Sequence, residues 1–374
     1  MNKKLIAIAI AGAMSAPFAA NASEATIYGV MDMSIDRHDN GDTGNDNDSA
    51  TGVSSNSSRI GLKGAEDLGG GMKAIWQVES QINVGNGTTE WGGRNTFAGL
   101  AGSFGTFILG KHDTPLKTTG RKAELFGNSV ADTRNIIRPD NAHMDLRPDN
   151  VAAYITPNMG GFNAVIAYVT DVAAGGDDAN DDGFGDTNGD NTSPMNENNA
   201  VDAYSISLNY SAGPLFVSAA TTEINASDLN GLNGNGITGT EDHQTNRVAA
   251  TYKMGAAKVA GLWQEADFTD GDSNSAWGLG GAYTMGNNTI KAQYYVADDM
   301  DDTDDSGADM FAIGLDHAMS KQTKLYAVYA DMSNDDNAAY ALGPGTGHGD
   351  NGPSGGPATG EDASAFSVGM QHKF

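Results

Sequence analysis

ATIYGVMDMSID, residues 25–36, places Ile27, Gly29, Met31, Met33 and Ile35 on one face and Thr26, Tyr28, Val30, Asp32 and Ser34 on the other. A period of two is the pattern of a β-strand with unlike faces. SRIGLKG at 58–64 repeats it, with Ile60 and Leu62 set against Arg59 and Lys63. Residues 72–82 do the same, opposing Met72, Ala74, Trp76, Val78 and Ile82 to Lys73, Gln77, Glu79 and Gln81.

Alternation alone fits a soluble sandwich, whose apolar face looks at another sheet, and equally a membrane barrel, whose apolar face looks at lipid. The connections separate the two. Long stretches rich in Asp, Asn and Gly run near 37–57, 83–93, 112–146, 171–200, 222–245, 265–276, 298–309 and 331–363. Short turns fall near 65–71, 101–105, 157–161, 211–214, 253–257, 284–288 and 317–323. Eight long and seven short connections alternate without exception, and fifteen connections join sixteen strands. Outer-membrane barrels have this rhythm, with short turns on the periplasmic side and extended loops outside. A closed barrel also pairs every strand edge, which lipid requires because an unpaired backbone group there costs several kcal/mol. The predicted fold class is all-β: a transmembrane antiparallel β-barrel of about 16 strands, with a lumen too wide for side chains to fill.

The start of the chain agrees with export. Lys3 and Lys4 precede a short apolar stretch at 5–14, and Ala20-Asn21-Ala22 offers small residues for cleavage before Ser23. These are the parts of a secretory signal peptide, predicted over 1–22, leaving a single barrel domain over 23–374. Loss of two lysines takes the formal charge from −27 to −29. So acidic a chain lacks the basic footprint that nucleic-acid backbone requires. The acids sit in blocks rather than evenly, which argues against a disordered tail. There are no cysteines, so backbone pairing and burial must hold the exported chain.

The last residues, FSVGMQHKF, put Phe366, Val368, Met370, His372 and Phe374 on one face. Together with SRIGLKGAEDLGGGMKAIWQVE at 58–79, RNTFAGLAGSFGTFILGKHDTP at 94–115 and the early TIYGVMD, they resemble the general Gram-negative outer-membrane porin family. The similarity is weaker from about 165 to 360, where the strand rhythm nonetheless continues. The resemblance implies a trimeric channel for passive diffusion of ions and small hydrophilic solutes. It also implies that Phe374 helps the barrel-assembly machinery recognise the chain, and that lipid and lipopolysaccharide surround it.

In that family the third loop folds into the barrel. Residues 112–146 resemble it around Glu124, Phe126, Asp132 and Arg134, and they alone among the long loops carry many large apolar side chains, including Leu116, Leu125, Val130, Ile136 and Ile137. The resemblance further implies a basic wall facing the loop's acids, here Arg59, Lys63, Arg94 and Arg147, with Arg147 beginning the strand that follows the loop. Opposed charges across a narrow wet gap would order water and favour polar solutes. Acidic external loops add a slight expected lean toward cations, which fades beyond a Debye length of about 8 Å.

DANDDGFGDTNGD in the fourth long loop sets Asp178, Asn180, Asp182, Gly183 and Asp186 at calcium-loop-like spacing, but Gly189 stands where the closing Glu belongs. A solvated acidic loop is the favoured reading, with structural calcium as the lesser one. No paired-histidine zinc motif is present, and the seven histidines scatter through loops and ends. Neither catalytic residues nor a cofactor are therefore expected. The competing reading is a surface-binding or adhesive barrel whose acidic loops bind calcium or a host ligand.

Overall fold

The computed structural model describes residues 25–41, 48–85, 87–137, 144–170, 202–225, 242–267, 273–343 and 356–374. The predicted leader at 1–22 and the calcium-loop candidates Asp178, Asn180, Asp182 and Asp186 lie outside the described residues. Within them the chain forms one antiparallel sheet that returns on itself, because Thr26–Asp39 pairs with Ala363–Lys373. Phe374 closes the seam: its N–H donates to Gly29 O at 3.1 Å, and its own O accepts from Gly29 N at 3.0 Å.

Eighteen paired segments among the described residues make sixteen strands, since two strands are each interrupted once. Ser49–Ser55 and Arg59–Gly69 lie end to end against Thr26–Asp39. Thr88–Glu90 and Thr96–Gly102 lie end to end against Met72–Asn83. The barrel is thus the sixteen-stranded one expected from the connections.

Which face looks where follows from exposure. Ile27 and Leu279 point outward and are 63% and 62% exposed, while Asp32, Ser34, Asp36 and His38 on the first strand face inward and are buried. Ser205, Thr222 and Thr245 repeat the inward polar pattern elsewhere. Apolar side chains outside and polar ones within is the arrangement of a barrel in lipid, where a charged residue on the outer midplane would cost about 2–4 kcal/mol. No helix among the described residues is long and apolar enough to cross a membrane; the strands do the crossing.

The short turns fall where expected. Met254 pairs with Ala257 across Gly255-Ala256, and Gly255 holds φ 57°, the left-handed conformation that a tight hairpin needs and glycine supplies without strain. The long connections differ. Strands run on to Asn225, Asp267 and Asn334 and resume at His243 and Ser273, a few residues inside stretches whose polarity reads as loop, while Ala363 falls at the end of its stretch. Polarity marks the end of the lipid layer, but ladder pairing continues beyond it into water.

Candidate functional site

The third long loop leaves the wall after Gly105–Lys111 and turns inward as a helix, Pro115–Ala123. Thr114 caps it, accepting from Lys117 N at 3.3 Å, and Pro115 occupies the first turn, where its missing N–H costs nothing. Two apolar clusters fasten the loop. Leu116, Met144 and Leu146 pack with Ile108, Val151 and Ile224, whereas Phe126, Val130, Ile136 and Ile137 pack with Tyr295, Met310 and Val328 across the barrel.

The loop's backbone is satisfied by inward-facing wall side chains, as burial away from water demands. Gln264 Nε2 donates to Ile137 O at 2.9 Å, Gln293 Nε2 to Ala131 O at 2.8 Å, Lys291 Nζ to Leu125 O at 3.1 Å and Arg247 Nη1 to Leu116 O at 3.2 Å. Arg247 also meets Asp145 at 2.6 Å and bonds Gln264. These wall anchors were not singled out from sequence; alternation shows that they face inward, but not what they meet.

Glu124 and Asp132 are turned into the loop's own scaffold. Asp132 is fully buried between Arg121 and Arg134, each at 2.9 Å, and also accepts from Asn128 N and Arg134 N. Burial opposes its charge, yet Arg134 and Arg121 hold the carboxyl well below its ordinary range. Glu124 accepts from Phe126 N at 3.0 Å and Thr133 N at 3.2 Å, and burial followed by the charge of Asp132 pushes it upward.

The basic residues gather on the wall, and two of them owe their positions to ladder irregularities. Between Ser55 and Arg59 the strand carries one more residue than its partner, with Ser57 at φ 54°, and Arg59 follows directly. Arg94 sits in the jog between Thr88–Glu90 and Thr96–Gly102, its N–H donating to Glu79 O at 3.1 Å. Bulges re-aim side chains in this way. Both arginines converge on Glu79, Arg94 at 2.6 Å and Arg59 at 3.7 Å, while Tyr28 Oη donates to the same carboxylate at 2.9 Å. Lys63 lies 5.0 Å from the Tyr28 ring centroid.

Arg147 belongs to the returning end of the inward loop, since the next strand starts only at Val151. It meets Asp113 at 2.9 Å and Asn95 at 3.1 Å, and Lys117 reaches Asp113 at 3.1 Å. Burial opposes the Asp113 charge, but Arg147 and Lys117 hold it well below the usual carboxylate range. Arg147 takes the larger share of that carboxylate; burial and then Arg147 accordingly pull the Lys117 ammonium down to about 7.

A second inward fold was not expected. Tyr340 and Leu342 of the last long connection are buried in the same cluster as Phe126, and Gly343 N donates to Asn135 Oδ1 at 3.3 Å. The sequence reading treated that connection as nearly devoid of large apolar residues, and these two suffice to anchor it.

A closed sixteen-stranded barrel, apolar outside and polar within, narrowed by an inward loop that faces a basic wall, has the architecture of a porin. Comparison with known proteins places it more narrowly. The family described as Gram-negative porin matches residues 7–337, and the chain belongs to that family; its named relatives are outer-membrane proteins. Outer membrane porin protein 32 of Delftia acidovorans is 29% identical over 387 residues, covering 100% of both chains. Major outer membrane protein P.IB of Neisseria meningitidis serogroup B is 29% identical over 346 residues, covering 86% of this chain and 91% of that one. Among solved structures, an anion-selective porin from Comamonas acidovorans superposes with a TM-score of 0.72 at 25% identity, over 94% of this chain and 99% of that one.

Proposed function

We propose that this outer-membrane porin passes ions and small hydrophilic solutes by passive diffusion, giving small anions the advantage at its constriction. The charge balance there carries the reading. Arg59, Lys63, Arg94, Arg147 and Lys117 stand against Glu79 and Asp113, while Glu124 and Asp132 are taken up inside the loop. One unit charge acting at about 8 Å through water is worth roughly 0.5 kcal/mol, so an excess of about three gives ~1.5 kcal/mol unscreened. Screening over one Debye length cuts this about threefold, leaving a mild preference at physiological salt. The cation lean drawn from the acidic external loops gives way, because those acids lie at the mouth and the constriction is where every ion must pass. The anion selectivity named for the Comamonas relative is in line with this reading.

The test is single-channel recording in a planar bilayer under a salt gradient. The expected reversal potential has the anion sign at low salt, and the Arg59→Ala/Arg94→Ala double variant should move it toward cations and alter conductance. A cation-signed potential, or a double variant indistinguishable from the parent, refutes the assignment.

A homotrimer fits the outer surface. Outward aromatic residues form a belt near the external rim, among them Trp263, Trp277, Tyr294, Phe311, Tyr329 and Phe366. From Thr26–Asp39 to Gly105–Lys111 that belt is missing among the described residues, as expected for a sector that meets protein instead of the lipid interface. Trp91, 74% exposed, lies within this sector. The adhesive alternative is set aside, since the relatives are porins, and a channel needs neither catalysis nor cofactor. Cleavage before Ser23, contact with lipopolysaccharide and recognition of Phe374 by the assembly machinery belong to the same proposal. Calcium at Asp178, Asn180, Asp182 and Asp186 rests on composition, and calorimetry at millimolar calcium decides it.

A further inference from the structure

Charge in this barrel is sorted along its axis, and the strand ladders show how. Toward the short turns, inward positions carry Lys63, Lys73, Lys253, Lys258, Lys324 and Lys373 against Asp67 and Asp316. Lys253 and Lys258 are direct cross-strand partners. Like charges placed opposite each other weaken a ladder, so this arrangement does not serve to hold the barrel together. Asp316 bridges Lys291 at 3.1 Å and Lys324 at 3.0 Å, neutralising only part of the group.

The opposite rim is acidic. Asp299, Asp301, Asp305, Asp335, Asp336 and Glu361 lie on the connections at that end. The cations there, among the described residues, are Arg37 on the outer face and Lys111, which is paired with Asp149 at 2.9 Å. Two of these connections are tied together: Asn337 N donates to Asp305 O and Asn337 Nδ2 to Asp304 O, both at 2.8 Å. Gly343 joins the last of them to the inward loop. Burial and then the charges of Asp299 and Asp305 push the Asp335 carboxyl upward, as crowded negative charge does.

We propose that the pore is bipolar and rectifies, conducting better when the outside is positive than when it is negative; this rests on the channel reading above. The acidic mouth gathers cations and the basic inner half gathers anions. With the outside positive, cations move inward from the mouth while anions move outward from the inner half. Both populations crowd toward the constriction, and conductance rises. Reversing the field draws both away and depletes it. Because the separation rests on unneutralised wall charge, the asymmetry must fade as salt shortens the Debye length from about 10 Å at 0.1 M to about 3 Å at 1 M.

The test uses the full mature protein in planar bilayers of potassium chloride. Since the chain has no cysteine, an Asn287→Cys variant in a short turn, blocked by a bulky impermeant maleimide added to one chamber, reports orientation. At ~0.1 M salt the outside-positive current should exceed its reverse by about twofold, and at ~1 M the two should be equal. Asp299→Asn/Asp301→Asn/Asp305→Asn and Lys253→Gln/Lys258→Gln should each bring the ratio toward one. Equal currents at low salt, the opposite sign, or a ratio that neither variant changes overturns bipolarity while leaving the channel intact. Absence of any stepwise current overturns the channel reading itself.

Discussion

Lys117 shows how one residue can tune the constriction. An unburied lysine titrates near 10.4, whereas burial and then Arg147 bring this one to about 7. It therefore carries its proton below that value and loses it as pH rises through neutrality, removing one positive charge from the constriction. At about 8 Å that charge is worth roughly 0.5 kcal/mol to a passing anion, or about twofold in preference. Anion-to-cation permeability at low salt should accordingly fall about twofold between pH 6 and pH 9, and Lys117→Arg should flatten this step while keeping the preference. A parent channel whose reversal potential is level across that range would show that Lys117 does not contribute. Glu124 acts at the acid end. Burial and Asp132 raise its carboxyl, so it gains its proton at a higher pH than an ordinary glutamate, adding to the anion preference in a separate step that Glu124→Gln removes.

At the scale of elements, the inward loop and the wall fit by exchange of volume. A Cβ added at Gly314 would meet Phe126 Cε1 at 2.8 Å, and one at Gly280 would meet Leu125 Cδ1 at 2.7 Å; the strands thin where the loop docks. Phe126→Ala should weaken docking by about 3–5 kcal/mol, the usual cost of emptying a buried aromatic site. The strand ladder does not depend on it. Heat resistance of the barrel should hold, while single-channel conductance rises and becomes noisy, and Gly314→Val should give the same result from the wall side. Unchanged conductance in both variants would show that this loop does not set the opening. The docking was half legible. Leu116, Phe126, Val130 and Ile137 marked residues 112–146 as a segment with something to pack against, whereas Gln264 and Gln293 on the wall carried no mark of their own. Their pairing with Ile137 O and Ala131 O was not legible, since contacts over more than a hundred residues leave no local pattern. The strand interruptions that aim Arg59 and Arg94 were equally hidden, because a bulge is defined by the partner strand's residue count. Asp132 misled for a related reason: its charge is evident, but its enclosure by Arg121 and Arg134 depends on a turn at Asn128.

For the whole molecule, the sixteen strands, the sense of their faces and the alternation of loops followed from period and connection length alone, since lipid imposes both. How barrels sit beside one another follows instead from a break in that regularity. The aromatic belt near the external rim is missing over the first five strands, and Trp91 stands exposed in the same sector. An exposed Trp at the centre of a protein contact is commonly worth 2 kcal/mol or more, roughly a thirtyfold change in association per interface. The protein in mild detergent should therefore sediment as three chains, and Trp91→Ala should lower the temperature at which unheated material dissociates on a denaturing gel. Each monomer's strand ladder should remain folded, because Trp91 lies outside the paired segments. Circular dichroism separates the outcomes: lost trimer with retained sheet supports the contact, and parent protein that sediments as one chain at all concentrations excludes it.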